Sequence, residues 1–157
     1  MRSTLLLIML WASFVCHAQS YKLFTTDEDL SSSLINHIYQ DSNGMIWVAT
    51  EDGLNRYDGA KFTTYKHNPE DAHSLSHNYV RRIFEDSKGH IYIGTHNGVQ
   101  VYNPATDTFS EKAILDNDRP YNQSITDIIE RNNGEVWVAG YRTGKIEIDG
   151  DKLRLTY

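Results

Sequence analysis

The sequence has little cysteine, little proline and no excess of basic residues. Cys16 is the only cysteine, and three of the 157 residues are proline. A chain with one thiol cannot form internal disulfides, and this near-absence of thiols suits an oxidising compartment. Aspartate and glutamate number 21 against 15 lysines and arginines, which gives a net charge of -6. This balance argues against a nucleic-acid surface, because phosphate binding needs clustered lysine and arginine.

Long apolar runs are also missing after residue 18, so no later segment has the roughly 20 apolar residues of a membrane helix. The one apolar run, residues 5–14, follows a positive start and precedes Cys16 and Ala18. This order is typical of a secretory signal peptide, residues 1–18, with cleavage after Ala18 and export of the remainder. A buried N-terminal helix is the alternative. A lipid anchor on Cys16 is disfavoured, because the two residues before it are bulky.

The chain repeats itself. Residues 41–59 read DSNGMIWVATEDGLNRYDG, and residues 86–104 read DSKGHIYIGTHNGVQVYNP, 45 positions later. A weaker third copy, ERNNGEVWVAGYRTGKIEIDG, occupies residues 130–150. Periods of about 40 to 50 residues are typical of β-propeller blades.

Aromatic, apolar and glycine positions recur in all three copies, with one extra residue placed before Gly144 in the third. The aromatic position lies between isoleucine or valine neighbours on a β-rich run, which favours packing between blades over stacking on a sugar. The expected blade-core residues are Trp47, Tyr92, Trp137, Ile38, Ile83 and Ile128. The expected turn glycines are Gly44, Gly89, Gly134, Gly53, Gly98 and Gly144.

Each copy predicts four short strands. In the first copy, residues 35–40 alternate, Asn43-Gly44 is a tight-hairpin dipeptide, and further turns separate three more β-rich runs. No amphipathic helical pattern interrupts them, which excludes most α/β folds. The expected fold is all-β, a partial β-propeller of three four-stranded antiparallel blades that is not closed. The blades are expected at residues 34–66, 79–112 and 124–157, with inter-blade loops at residues 67–78 and 113–123.

A short segment precedes the first blade. Within residues 19–33, the letters YKLFTT resemble AKFTTY, the predicted fourth strand of the first blade. A lone fourth strand in this place is what ring closure requires, because it completes the last blade. Propellers close with roughly four to eight blades, and three blades leave sheet faces and edges open. We therefore expect either a longer chain that supplies further blades or self-assembly of several copies.

The repeats resemble those of the two-component regulator propeller family. The pattern of that family is close to I-x-x-D-x-x-G-x-[IL]-W-[IV]-G-T-x-x-G-[LI]-x-x-[YF]-[DN], and the first copy matches nearly all of it. The second copy departs by Tyr92 in place of tryptophan. The third departs by Arg131 in place of the aspartate and by Gly140 in place of the threonine. The resemblance covers residues 21–149.

This resemblance implies the periplasmic sensor region of a hybrid two-component histidine kinase of the Bacteroidetes type. Such sensors have two propellers and an immunoglobulin-like module outside the membrane, followed by a membrane helix, a kinase, a receiver and a DNA-binding module. Their usual ligands are oligosaccharides. Nothing in this sequence resembles the kinase, so the implied function is non-catalytic ligand sensing within a phosphorelay. The alternatives are a free-standing periplasmic module that self-assembles and a truncated fragment with no independent activity.

Ligand contacts are expected on the turns between second and third strands, because these turns and the inter-blade loops reach one face of a propeller. A sugar requires carboxylates or amides for its hydroxyl groups and an aromatic plate for its apolar face. Aspartate and asparagine in turns also set backbone geometry, which is the competing interpretation. The candidate ligand-binding residues are Glu51, Asp52, His96, Asn97, Tyr141 and Arg142.

No catalytic residue, cofactor or metal is predicted. A glycosidase needs two carboxylates about 5 to 10 Å apart, whereas Glu51 and Asp52 are adjacent in sequence. The histidines are not at zinc spacings, and residues 116–118 lack the glycine and distal glutamate of a calcium loop. The expected partners are an oligosaccharide and further propeller blades of the same or a longer chain, with neither nucleic acid nor a membrane span.

Overall fold

A computed structural model of the chain describes residues 22–27, 29–110, 114–116, 119–149 and 152–157. The predicted signal peptide, residues 1–18, lies outside these ranges. The described residues form fourteen strands and no helix, in three sheets that follow one another along the chain and are called blades 1, 2 and 3. Nothing in the described ranges could cross a membrane as a helix. The predicted all-β, unclosed arrangement is confirmed.

Blades 1 and 2 each consist of four antiparallel strands in chain order. Blade 1 contains β1 (Ile35–Gln40), β2 (Ile46–Thr50), β3 (Gly53–Tyr57) and β4 (Phe62–Tyr65). Blade 2 contains β5 (Val80–Glu85), β6 (Ile91–Thr95), β7 (Gly98–Asn103) and β8 (Thr108–Phe109). Their first hairpins close tightly because Gly44 and Gly89 both adopt φ 84, which side chains rarely allow.

Blade 3 contains the four expected strands and two more. β9 (Ile114–Asp116) and β10 (Arg119–Pro120) extend the antiparallel sheet of β11 (Ile125–Glu130), β12 (Val136–Gly140), β13 (Gly144–Asp149) and β14 (Lys152–Thr156). β9 pairs with β14 in parallel. The prediction that residues 113–123 form a loop is therefore wrong for residues 114–116 and 119–120. An outer strand has unpaired N–H and C=O groups, and β9 pairs with those of β14.

The core lies between neighbouring blades. We call the face of a blade that looks toward the next blade its front face, and the opposite face its back face. Trp47 is fully buried on the front face of blade 1 and packs with Ile83 on the back face of blade 2. Tyr92 takes the same position between blades 2 and 3, where it packs with Ile128. The repeated aromatic position therefore fills the space between two sheets.

The two outermost faces differ from the interior ones. Ile83 and Ile128 are 1% exposed, whereas Ile38, the corresponding residue of blade 1, is 61% exposed. The prediction that Ile38 belongs to the core is wrong, because no described blade packs on the back face of blade 1. Trp137 is only half-buried on the front face of blade 3, in contrast to the fully buried Trp47.

The strand register of blade 3 corrects the alignment of the repeats. Val138 of β12 is opposite Gly144, whereas its counterpart Val48 in blade 1 is opposite Asn55. Five residues separate Val138 from Gly144, against six between Val48 and Asn55. The turn of blade 3 is therefore one residue shorter than the others and contains no extra residue.

Gly144 is consequently not a turn glycine. Gly53 and Gly98 lie at their turns with φ of 135 and 86, but Gly144 lies inside β13 and does not have a positive φ. A Cβ atom on Gly144 would be 2.7 Å from the carbonyl oxygen of Thr156. Glycine is needed there because β14 approaches closely.

The segment before blade 1 does not form the strand predicted within residues 19–33, as far as its described residues show. A strand exists only where its backbone pairs with a neighbour. Phe24 nevertheless packs edge-on against Phe62, with ring centroids 5.0 Å apart. Tyr65 of β4 makes the same edge contact with Phe109 of blade 2 at 5.3 Å. Phe24 therefore occupies the position that a fourth-strand side chain occupies between blades 1 and 2.

Candidate functional site: the loop face

The turns between second and third strands lie at one end of the blades, together with the connections between blades. We call this end the loop face. The backbone N–H of Gly53 donates to the carbonyl of Asn78 at 2.7 Å, and that of Gly98 donates to the carbonyl of Gln123 at 2.9 Å. Each connection is therefore held beside the turn of the blade that it leaves, by a bond that does not depend on side chains.

Glu51 and Asp52 bind different partners on this face. The Asp52 carboxylate accepts hydrogen bonds from Lys66 at 2.5 Å and from Asn78 at 3.0 Å. The bond from Lys66 is the main cause of a lowered pKa at Asp52. Glu51 instead accepts a bond from the Tyr79 hydroxyl at 3.1 Å, which raises the pKa of that tyrosine. The two adjacent carboxylates thus serve separate contacts and are not arranged as a catalytic pair.

Tyr79 also joins Glu51 to the histidines of blade 2. Its ring lies 4.9 Å from the ring of His96, which in turn lies 5.7 Å from His77. Burial lowers the pKa of His77, and the nearby His96 and His67 lower it further, since neighbouring cations repel. The blade 1–2 part of the loop face therefore presents a tyrosine and two imidazoles beside a carboxylate.

Asn97 is engaged with the protein itself. Its backbone N–H donates to the Thr95 hydroxyl at 3.0 Å, and its amide nitrogen donates to the carbonyl of Ser76 at 3.4 Å. These bonds shape the β6–β7 turn. A ligand contact at Asn97 stays a prediction, in which the ligand would have to replace the bond to Ser76.

Tyr141 and Arg142 lie in a second group, on blade 3. The Tyr141 side chain is 81% exposed. The Arg142 guanidinium lies 3.0 Å from the Asp116 carboxylate and 5.8 Å over the ring of Tyr157. A depression of about 190 Å³ opens between them. It is lined by Asp116, Tyr121, Asn122, Gln123, Tyr141 and Arg142.

Arg81 connects the two groups. Its guanidinium lies 5.8 Å over the ring of Tyr79 and donates to the Ser124 hydroxyl at 3.2 Å. Contacts therefore run without interruption from Glu51 across blade 2 to the connection that leads into blade 3. The structure brings Glu51 and His96 together through Tyr79. It holds Asp52 and Asn97 against the connection between blades 1 and 2 and leaves Tyr141 and Arg142 in a separate depression.

Sequence reasoning missed Tyr79, Arg81 and Asp116. One signal for Tyr79 was present, because a large aromatic residue stands directly before an inner strand where the other copies have Leu34 and Ser124. Asp116 carried no such signal, since it belongs to a strand that the sequence did not predict.

Binding is the chemistry that these groups offer. They combine aromatic rings, amides and charged pairs, and each carboxylate of the two groups already accepts a bond from a tyrosine, lysine or arginine. Within the described ranges, no three histidine, cysteine, aspartate or glutamate side chains converge as metal ligands would.

Comparison with known protein families matches two segments of the chain, residues 29–52 and 74–97, to the two component regulator propeller. Each segment covers the approach to a blade and its first two strands. Among curated proteins, histidine kinase P4 of Formosa agariphila is 48% identical to this chain over 56 residues. The match covers 36% of this chain and 4% of that kinase.

Two solved structures of similar fold come from B. thetaiotaomicron. The extracellular domain of a protein designated a hybrid two component system superposes with a TM-score of 0.71 at 26% identity, over 87% of this chain and 20% of that one. The extracellular domain of a one component system gives 0.68 at 22% identity, over 89% and 21%. The second likeness concerns the fold alone. The chain thus spans about a fifth of these solved domains.

Proposed function

Because residues 29–52 and 74–97 are two-component regulator propeller repeats, we propose that this chain forms part of the extracellular ligand-sensing region of a two-component signalling protein. We place it in the periplasm, with an oligosaccharide as ligand and without catalytic activity of its own. The histidine kinase that reads the signal would lie in a different region of the system.

The observation that carries the ligand assignment is the depression beside Tyr141 on the loop face. A tyrosine that is 81% exposed presents an apolar plate with a polar tip. Arg142 and Asp116 offer a donor and an acceptor beside that plate, and the amides of Asn122 and Gln123 offer both. This combination suits a sugar ring, which has an apolar C–H face and a rim of hydroxyl groups.

Signal transfer would follow from competition for Arg142. In the free protein this guanidinium is bound to Asp116 of β9 and lies over Tyr157, and β9 pairs with the outer strand of blade 3. A ligand shifts a conformational equilibrium only by binding its two states differently. A sugar that binds Arg142 or Asp116 in place of their present partners would weaken the link between the turn and β9, and so alter the outer edge of blade 3.

Isothermal titration calorimetry of the purified chain against a panel of neutral and acidic oligosaccharides tests the ligand assignment. We expect one class to bind, and the Tyr141→Ala variant to bind it about tenfold more weakly or worse, a loss of about 1.4 kcal/mol. The control is Thr106→Ala in the β7–β8 turn, which lies at the opposite end of the blades. Absence of binding across the panel, or equal binding by Tyr141→Ala, contradicts the assignment.

Chromatography of the oligosaccharides after prolonged incubation with the protein tests the non-catalytic role. We expect them to be recovered unchanged. The appearance of shorter products in proportion to protein concentration would show that the chain is an enzyme.

A further inference from the structure

Two blade faces have no sheet packed on them within the described residues. They are the back face of blade 1, marked by Ile38, and the front face of blade 3, marked by Trp137. The interfaces between blades 1 and 2 and between blades 2 and 3 provide a template for what such faces bind, because residues 45 positions apart occupy corresponding places.

The front face of blade 3 contains an apolar groove of about 330 Å³. Ile129, Trp137 and Ala139 line it, with Asp127 at its rim. The corresponding surface of blade 1, around Trp47, is filled by Ile83 of the next blade. The surface of blade 2 around Tyr92 is filled in the same way by Ile128. The groove therefore has the form that receives an isoleucine from the inner strand of a following blade.

The back face of blade 1 presents such an isoleucine. Ile38 occupies the position of Ile83 and Ile128 but is 61% exposed, while they are 1% exposed. The outer part of the same face is already covered by Phe24, whose ring packs on Phe62. A partner is therefore needed only at the inner strands, where Ile38 lies.

Polar contacts at the interior interfaces indicate which pairs the open faces would form. Ser42 donates through its N–H and its hydroxyl to the two carboxylate oxygens of Glu85, at 2.7 and 2.6 Å. Ser87 does the same to Glu130, at 2.8 and 2.6 Å. The next pair in this series is Asn132 on blade 3 with Gln40 on blade 1. Two carboxamides can exchange donor and acceptor, so the pair is complementary without charge.

We propose that the front face of blade 3 binds the back face of blade 1 of a second copy of this chain. Ile38 of one copy fills the groove beside Trp137 of the other, and Gln40 meets Asn132. The two faces are different surfaces, so the contact is head-to-tail and leaves one open face at each end of a dimer. Further copies can add until the arc closes.

Two exposed positions allow each face to be blocked separately. Ile38→Arg places a charge on the back face of blade 1, and Ile129→Arg places one in the groove of blade 3, where Ile129 is 51% exposed. Thr106→Arg, on an exposed turn between the two faces, is the matched control. Circular dichroism and thermal melting establish that each variant is folded before its association is measured.

Sedimentation velocity and multi-angle light scattering over a wide concentration range then test the proposal. We expect the wild type and Thr106→Arg to associate with increasing concentration. Each blocked variant alone should be monomeric, with association weakened about tenfold or more, because an unpaired charge would be buried at the contact. An equimolar mixture of the two blocked variants should form dimers and nothing larger, since it retains one intact interface.

Three results would overturn the proposal. The first is a wild type that remains monomeric at every concentration, which would mean that the open faces do not bind a second copy of the chain. The second is association that survives either arginine substitution, which would place the contact elsewhere or pair like faces. The third is a mixture of blocked variants that stays monomeric.

Discussion

Blades 1 and 2 differ from blade 3 in what lies beneath the loop face. In blade 1, the N–H of Ser31 donates to the side-chain oxygen of Asn55 at 3.0 Å, and the Ser31 hydroxyl lies 2.9 Å from that of Thr50. Blade 2 repeats the arrangement at 2.7 and 2.8 Å. Its members are Ser76, Gln100 and Thr95. These buried polar groups attach the incoming connection to the second and third strands.

Blade 3 replaces the whole network with one ring. Tyr121 takes the serine position, and Gly140 and Gly144 take the positions of the threonine and the amide. A Cβ on Gly140 would be 3.3 Å from the Tyr121 hydroxyl and 2.4 Å from the carbonyl of Ser124. The tyrosine thus occupies the space that the missing side chains leave, and its hydroxyl accepts a bond from the N–H of Arg142 at 3.1 Å. The departure of blade 3 from the repeat is therefore concentrated beside the proposed ligand depression.

A second difference lies in the first hairpin. Asp41 accepts a bond from the Trp47 indole at 2.8 Å, and Asp86 plays the same role for the Tyr92 hydroxyl at 3.1 Å. Blade 3 has Arg131 in place of the aspartate, and Glu135 accepts the bond from Trp137 at 3.3 Å instead. The acceptor has moved along the hairpin, so the change at one position is compensated at another.

The largest predicted effect separates the interior and open faces. Trp47→Ala should lower the free energy of unfolding by about 3–5 kcal/mol, because a fully buried tryptophan leaves a large cavity. In the monomer, Trp137→Ala should cost roughly half as much, since its side chain is only half-buried. Urea unfolding of both variants, at a protein concentration at which the chain is monomeric, measures this. Equal losses would mean that Trp137 is covered in solution, or that Trp47 is not.

The polar networks should respond next. Gln100→Leu removes the acceptor for the N–H of Ser76 and the donor to the carbonyl of Ser110, so we expect a loss of about 1–3 kcal/mol. Tyr121→Phe removes the acceptor for the N–H of Arg142 and a long donation to the Arg142 carbonyl, and should cost about 0.5–1.5 kcal/mol. The comparison is made by urea unfolding. A larger loss for Tyr121→Phe than for Gln100→Leu would mean that the tyrosine of blade 3 stabilises the fold more than the buried amide of blade 2 does.

Arg131 and Glu135, in the first hairpin of blade 3, should be coupled in their effects on stability. Arg131→Asp places a carboxylate near Glu135, whose bond from Arg131 is lost, and we expect a loss of about 0.5 kcal/mol at this partly exposed site. Adding Glu135→Met restores the pattern of Asp41 and Met45 and should recover the loss. A double-mutant cycle measures the interaction. Strictly additive losses would show that the two changes are independent.

The smallest effect concerns pH and belongs to the histidines of the loop face. Burial and neighbouring His96 lower the pKa of His77 from 6.5 in the folded chain. The unfolded chain therefore binds more protons as the pH falls through 6.5, and stability declines over that range. His77→Gln should give a shallower decline in thermal melting. A slope remains, because burial and Arg82 also lower the pKa of His37. Identical slopes of stability against pH for the wild type and His77→Gln would show that His77 does not contribute to the decline.

Repetition explains how far the sequence alone could lead. Strand order, hairpin turns and the aromatic position recur in the letters, so the all-β class and the three blades could be read from their spacing. The exposure of Ile38 could not be predicted in this way. Its sequence pattern is that of Ile83, but its exposure depends on whether a preceding blade is present. The same limit applies to Trp137.

The errors in blade 3 have a different cause. Gly144 matches a turn glycine in sequence, but strand pairing places it inside β13, and a register is set by tertiary contacts that letters do not show. β9 pairs with β14, which is distant in sequence, β10 pairs with β9, and neither strand carries a periodic signal. The ion pair between Asp116 and Arg142 could therefore not be predicted from the sequence. The exposure of Tyr141, in contrast, followed from its place in a turn.

Mapping of the ligand site by ¹⁵N-resolved nuclear magnetic resonance tests the central claim most directly. On titration with the oligosaccharide that binds in calorimetry, we predict that the largest shifts occur at Asn122, Gln123, Tyr141 and Arg142. The hairpin turns at residues 41–44 and 86–89, at the opposite end of the blades, should not respond. Shifts concentrated on those hairpins, with none at Tyr141 and its neighbours, would contradict a sensing surface on the loop face.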